Sequence, residues 1–162
     1  MSELPPASRI CHSCGLCCNG TIFRRARLKP EEVESAKKNR LPVVESGETF
    51  DLPCPRFDSG SCTIYPERPQ ACQDFKCSLL MRFHLGGTTV EEAVADVARA
   101  KHLIAQLEAK GMDMSPEGNR SITSSGDDAY EVMALASELM HRMDRDFRRA
   151  EPVGEDAPPP VD

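Results

Sequence analysis

The most regular alternation of apolar and polar positions lies in the second half of the chain. Val90, Ala93, Val94, Val97, Ile104 and Leu107 recur at three- and four-residue steps, the spacing of one helix face. Thr88 or Thr89 supplies an N-cap, Glu91 and Glu92 fall in the first turn, and Gly111 closes the end. A second periodic run, from about Asp127 to Arg149, carries Tyr130, Met133, Leu135, Leu139, Met140, Met143 and Phe147. Methionine and aromatic residues at that spacing read as core. Residues 112–126 between the runs form a polar loop, and Pro158-Pro159-Pro160 among acidic residues reads as a disordered tail.

Upstream of Gly86-Gly87 the pattern is irregular. Residues 1–10, with Pro5-Pro6 and no periodicity, read as a loose arm. Asn19-Gly20 is a turn, and Thr21-Ile22-Phe23 a short strand leaving it. Pro30 followed by Glu31, Glu32 and Glu34 predicts a helix to Asn39, with Val33 and Ala36 inward and Leu41-Pro42 as its stop. Val43-Val44, Gly47, Thr49-Phe50 and Leu52 suggest a hairpin whose second strand delivers Cys54. Asp58-Ser59-Gly60-Ser61 is a turn, so Cys54 and Cys62 flank a tight loop. Tyr65 before Pro66 is a site where a cis bond can form. A helix beginning near Cys72 places Phe75, Leu79, Leu80 and Phe83 in packing positions.

Composition narrows the picture. Aromatics make up 5% of 162 residues and tryptophan is absent, a thin supply of large core side chains. Residues 1–87 carry 12 Lys+Arg against 10 Asp+Glu, and residues 88–162 carry 8 against 16. A net charge of -6 argues against a nucleic-acid binder, which shows a basic footprint. The small basic run Arg24, Arg25, Arg27 and Lys29 reads as a solvated edge. No apolar run approaches the roughly 18 residues of a membrane span, and the first residues resemble no signal peptide, so a cytoplasmic protein is expected.

The chemistry lies in eight cysteines, all in the first half: Cys11, Cys14, Cys17, Cys18, Cys54, Cys62, Cys72 and Cys77. Two thiolates separated by two residues can hold one tetrahedral metal, and that spacing occurs twice in series from Cys11 to Cys17. In a reducing compartment clustered Cys-x-x-Cys favours metal over disulfides. The same spacing is that of the first three ligands in ferredoxin-type iron–sulfur sites, with Cys54-Pro55 as a remote fourth. It equally suits a four-cysteine zinc site, so zinc and iron both stay open. Neighbouring side chains in extended backbone point to opposite sides, so Cys17 and Cys18 suggest two centres. One partition in chain order is Cys11, Cys14, Cys17 and Cys54 against Cys18, Cys62, Cys72 and Cys77. His12 reads as solvent-facing, and His84, His102 and His141 as surface or packing residues. Arg68 is a partner for Asp74, and Tyr65 a donor to a sulfur.

Cys-x-x-Cys-Gly-Leu-Cys-Cys, then Cys-x7-Cys-x-Ile-Tyr-x-x-Arg-Pro-x-x-Cys, then Phe75-Lys76-Cys77, resembles the YkgJ-type CxxCxxCC family over residues 11–87. That resemblance implies zinc or iron chelation by the cysteine cluster, and members are often labelled iron–sulfur oxidoreductases. The family typically has Arg just after the third downstream cysteine; here the residue is Gln73. A related cysteine motif occurs in flagellin lysine methylases, but this chain lacks a glycine-rich strand-to-helix loop for their S-adenosylmethionine cofactor.

The expected fold is therefore α+β: an irregular, small, metal-stabilised cysteine-cluster domain over residues 1–87, followed by two amphipathic helices. Residues 88–150 form a helical extension packing on it, and residues 151–162 a disordered acidic and proline-rich tail. The expected function is metal binding in a structural or metal-handling role, with zinc or iron as the bound ion. The alternatives are an iron–sulfur electron-transfer protein or oxidoreductase and, third, a zinc-ribbon-like nucleic-acid binder. No catalytic motif stands out beyond the cluster. A protein partner is expected on the C-terminal helices, and no membrane.

Overall fold

In the computed structural model, which describes residues 4–114 and 126–147, the first element is a helix where composition suggests a loose arm. Helix α1 spans Pro6–Cys14. Proline suits a first helical position because the N–H it lacks has no intrahelical partner there. Pro5-Pro6 therefore starts an element rather than preventing one. Ala7, Ile10, Cys11 and Cys14, spaced i, i+3, i+4 and i+7, lie against the core. Gly15 ends the helix at φ 70°, the left-handed conformation that glycine adopts without a Cβ penalty.

The first strand also falls elsewhere. Thr21-Ile22-Phe23 is not extended into a ladder; β1 is Arg25–Arg27, inside the basic run. Ile22 packs against the helices and Phe23 meets Phe75 edge-on at 5.0 Å, so these two apolar residues serve different partners. In β1 the arginines point to solvent and Ala26 inward, opposite Phe50 of β2 (Thr49–Asp51), to which β1 pairs antiparallel. Arg25 adds an ion pair to Asp51 at 2.7 Å. The hairpin suggested by Val43-Val44 and Thr49-Phe50 is reduced to one bridge, Val43 to Phe50. A 3-10 turn, Pro30–Glu32, leads into α2, Val33–Lys38, as the proline and acidic residues suggest. Ala36 is buried and Val33 half-buried. Strands β3 (Phe57–Asp58) and β4 (Ser61–Cys62) pair around Ser59-Gly60, both at positive φ. The cis peptide is at Leu52-Pro53 rather than before Pro66.

The single helix expected near Cys72 is two: α3, Gln70–Asp74, and α4, Ser78–His84. Phe75 is extended between them and turned onto Phe23, which breaks the helix and leaves Cys77 at the mouth of α4. Helix α5, Val90–Ala109, is capped by Thr89: its side chain accepts the Glu92 N–H, and the Glu92 carboxylate takes the Thr89 N–H in return. Helix α6, Asp127–Arg142, continues as a π-helical turn, Met143–Phe147. Residues 148–149 of the expected second helix, most of the expected polar loop and the expected tail lie outside the described residues.

The inward face of α6 differs from expectation. Val132, Leu139 and Phe147 are buried, but Tyr130, Met133 and Met140 are 76%, 54% and 66% exposed. The helix carries two apolar stripes, and the seam through Val132, Leu135, Ala136, Leu139 and Met143 is the one that packs.

The architecture is thus mixed α and β, with helices dominating and two small antiparallel sheets. It holds two apolar cores. The larger unites α1, α4, α5 and α6 through Ile10, Leu79, Val97, Leu103, Leu107 and Leu139, with Phe147 of the π-helical turn. Its far side is tied by Asp146, fully buried and bonded to Arg82 at 2.7 Å and Arg145 at 2.6 Å. This buried charge is thus met by cations from α4 and from the π-helical turn, and Arg82 also reaches Asp96 of α5 at 2.9 Å. The smaller core, under β1 and β2, consists of Leu28, Ala36, Leu41 and Phe50. Among the described residues no helix is long and apolar enough to cross a membrane.

Candidate metal centre

The cysteines occupy ends and turns. Cys11 and Cys14 lie on α1, and Cys17 and Cys18 on the turn that Gly15 starts, closed by the Asn19 N–H on the Gly15 carbonyl at 2.9 Å. Cys54 precedes β3, Cys62 ends β4, Cys72 sits in α3 and Cys77 precedes α4. The knuckle is pressed against the β3–β4 hairpin at Gly15, where a Cβ would run into the Phe57 ring. Only glycine fits both that contact and the positive φ. Leu16, 1% exposed, anchors the turn from beneath. All eight thiols are free and half-buried.

The sulfurs sense one another in a pattern. Burial pushes Cys14 up to about 12, with Cys77 and then Cys11 adding to the rise. Burial likewise raises Cys17 well above the usual thiol range, helped by Cys14, Cys18 and Cys77. Cys18 is pushed to about 12 by burial, then by Cys72, Cys11, Cys62 and Cys54. Cys72 reaches about 12 by burial, then by Cys54 and Cys62. Cys11, Cys54 and Cys77 are also raised, in each case chiefly by burial. Each of the eight sulfurs thus lies near enough to another to affect it or be affected by it.

Do these residues suit a metal? The donors are soft sulfurs, unoxidised and sheltered from water, as zinc and iron sites require. Backbone N–H groups oppose the rise at three of them: Leu16 at Cys14, Arg56 and Phe57 at Cys54, and Leu80 and Leu79 at Cys77. Hydrogen bonds of that kind favour the thiolate. Burial still outweighs them, so the protons stay until a cation takes their place. The donor set fits a thiophilic cation. It is not drawn in around one point: among the described residues, no three His, Cys, Asp or Glu side chains stand ready-placed about a single ion position.

Residues beyond the cysteines complete the surroundings. Tyr65 hydrogen-bonds the Cys11 sulfur, and the Arg68 guanidinium lies over the Tyr65 ring at 3.8 Å. Arg68 does not pair with Asp74 as the sequence suggests. It donates to the carbonyls of Tyr65 and Cys72, while Asp74 accepts from Gln70. Gln73, where the family has Arg, donates to the Arg68 carbonyl at 2.6 Å. His12 is half-buried and edge-on to Tyr65 rather than solvent-facing. His84, His102 and His141 are exposed. Lys101 of α5 is a neighbour that the motif does not reveal: its ammonium reaches the Ser13 carbonyl at 3.3 Å and lowers the cost of charge at Cys14. No local pattern links it to a cysteine 87 positions earlier in the sequence.

A family model for the CxxCxxCC domain, described as a "putative zinc- or iron-chelating domain", matches residues 10–116, about two thirds of the chain. No curated protein and no solved structure matches. The chain belongs to the CxxCxxCC family.

Proposed function

From that membership, we propose that the chain chelates zinc or iron through its eight cysteines, in a structural or metal-handling role. The observation that carries this is that all eight thiols are free and half-buried, and sit on α1, the turn after it, the approach to β3, the end of β4, α3 and the mouth of α4. When bound, zinc supplies a rigid tetrahedral node and iron adds electron transfer. The protein's part is to exclude water, aim backbone N–H groups at the sulfurs, and set Arg68 and Lys101 near Cys11 and Cys14. Residues 88–150 serve as the extension that packs on the cysteine-bearing part, and protein docking falls to its exposed Tyr130, Met133 and Met140. Eight free thiols suit the reducing cytoplasm.

The second reading, an iron–sulfur electron-transfer protein or oxidoreductase, rests on the ferredoxin-like spacing of Cys11, Cys14 and Cys17. Anaerobic purification with metal and sulfide analysis separates the two. Colourless protein with stoichiometric zinc removes the redox reading. Brown protein with iron and sulfide replaces the structural one. Protein that takes up neither metal defeats both.

A further inference from the structure

Resting on that chelation reading, we propose that the thiols divide into two separate four-sulfur centres. One comprises Cys11, Cys14, Cys17 and Cys77 on the helical core; the other comprises Cys18, Cys54, Cys62 and Cys72 on the small-sheet core. Packing makes the division. Cys11, Cys14 and Cys77 lie against the core of α1, α4 and α5, whereas Cys54 and Cys72 lie against the core under β1 and β2. Helix α1 packs directly on α4, at whose N-terminus Cys77 stands.

The vicinal pair straddles the boundary. The Cys18 carbonyl accepts the Cys54 N–H at 2.8 Å, which staples Cys18 to the sheet side. The Phe57 N–H in turn bonds the Cys54 carbonyl at 3.0 Å, and Phe57 pairs with Cys62 across the hairpin. Cys54 and Cys62 are therefore held in one unit with Cys18. Cys17 instead continues the three-residue spacing of Cys11 and Cys14 across Gly15, which ends α1. Cys11 is the seam: it packs with the helices and shares a helix face with Cys14, yet its helix also meets β4, which carries Cys62. Charge favours two centres as well. Four thiolates around each divalent ion leave a modest excess of negative charge, whereas eight around one ion exceed tetrahedral coordination. The division exchanges Cys54 and Cys77 relative to a partition in chain order.

The test is zinc titration of the full chain followed by native mass spectrometry, with circular dichroism on each variant. The wild type should take two equivalents, and Cys72→Ser and Cys77→Ser one each. Cys17→Ser/Cys77→Ser should still take one, because both belong to the same centre, and Cys72→Ser/Cys77→Ser none. An empty Cys17→Ser/Cys77→Ser protein that is folded, with Cys17→Ser/Cys54→Ser retaining one ion, overturns the division. So do folded single variants that lose all zinc, or a wild type that takes a single ion; chelation itself then stands. A wild type that binds neither zinc nor iron defeats the chelation reading instead. Where a variant does not fold, wild-type molecules carrying one zinc are alkylated and fragmented intact. Each should bear its four labels on one complete set, and labels mixed between the sets overturn the proposal.

Discussion

The helical core and the small-sheet core are built from different resources. The first closes Ile10, Leu16, Leu79, Val97, Leu103, Leu107, Val132 and Phe147 between helices, with three cysteines at its edge. The second has Leu28, Leu41 and Phe50 as its large buried side chains, with Ala36 beside them. Burying one large side chain contributes about 1.5–3 kcal/mol, whereas structural zinc contributes roughly 10–16 kcal/mol of apparent binding energy. On those magnitudes the helical part can hold itself together, and under the proposed chelation the sheet part draws on what its sulfurs bind. The difference teaches that metal in this chain need not have one structural role.

Stripping the metal is the largest perturbation of that comparison. With a chelator under reducing conditions, amides of β1 and β2, such as Ala26 and Phe50, should lose hydrogen-exchange protection while those of α5 keep most of theirs. Simultaneous loss in α5 would make the two cores one cooperative unit.

Alkali should act next. A buried thiol whose pKa is raised keeps its proton when folded after the unfolded chain has lost it. The stabilisation is full below the ordinary value of 9.0 and is lost as pH climbs towards about 12 for Cys14, Cys18 and Cys72. Each costs at most about 1.4 kcal/mol per pH unit in that window. Metal-free protein should therefore melt progressively earlier between pH 9 and 12. Metal-loaded protein should show the opposite slope: its thiolates hold no protons, so stability falls as pH drops below 9 and the unfolded thiols recapture theirs. Thermal denaturation of both forms across pH checks the pair, and parallel slopes would break the argument.

Core truncations sharpen the same contrast. Leu103→Ala should cost about 3–5 kcal/mol and leave metal content unchanged, since Leu103 is fully buried among helices. Phe50→Ala should cost a similar amount and also weaken metal retention, because Phe50 packs in the core that Cys54 and Cys72 edge. Urea midpoints and metal per protein are the readouts. Equal metal loss in both variants would remove the distinction.

The two regions also differ in how far they can be read from sequence. Helix α5 is announced by its periodicity and cap, and Ala93, Val97, Ile104 and Leu107 are buried as the spacing requires. The turn at Ser59-Gly60 is equally plain. Helix α1 was legible too: Ala7, Ile10, Cys11 and Cys14 repeat at helical spacing, but counting cysteines as ligands hides their apolar role. The cysteines themselves could be singled out, yet which sulfurs neighbour which depends on long-range packing. The break at Phe75 and the Cys18–Cys54 backbone bond carry no local signal. In α6, two apolar stripes share one helix, and only the packing of α5 selects between them.

The smallest expected effect belongs to the cap of α5, where the sequence offers two threonines. Thr89 accepts the Glu92 N–H at 3.2 Å and returns its own N–H to the Glu92 carboxylate at 2.8 Å. The Thr88 hydroxyl makes a single bond to that carboxylate, at 3.2 Å. Thr89→Ala should therefore cost about 1 kcal/mol, and Thr88→Ala only a few tenths, read as urea midpoints. The Thr89 N–H, followed by the two hydroxyls, holds the Glu92 carboxyl below its ordinary 4.5. A depressed acid stabilises the fold above its unfolded value and loses that contribution as pH falls through the lower, folded one. Thr89→Ala keeps that N–H, so the difference between wild type and variant should shrink only slightly as pH falls below 4.5. Because the hydrogen bonds of both threonine side chains stay within the start of α5, neither substitution should alter metal per protein. A Thr89→Ala variant that lost metal would mean that the order of α5 reaches the cysteine cluster, through Lys101 on Ser13 and Cys14.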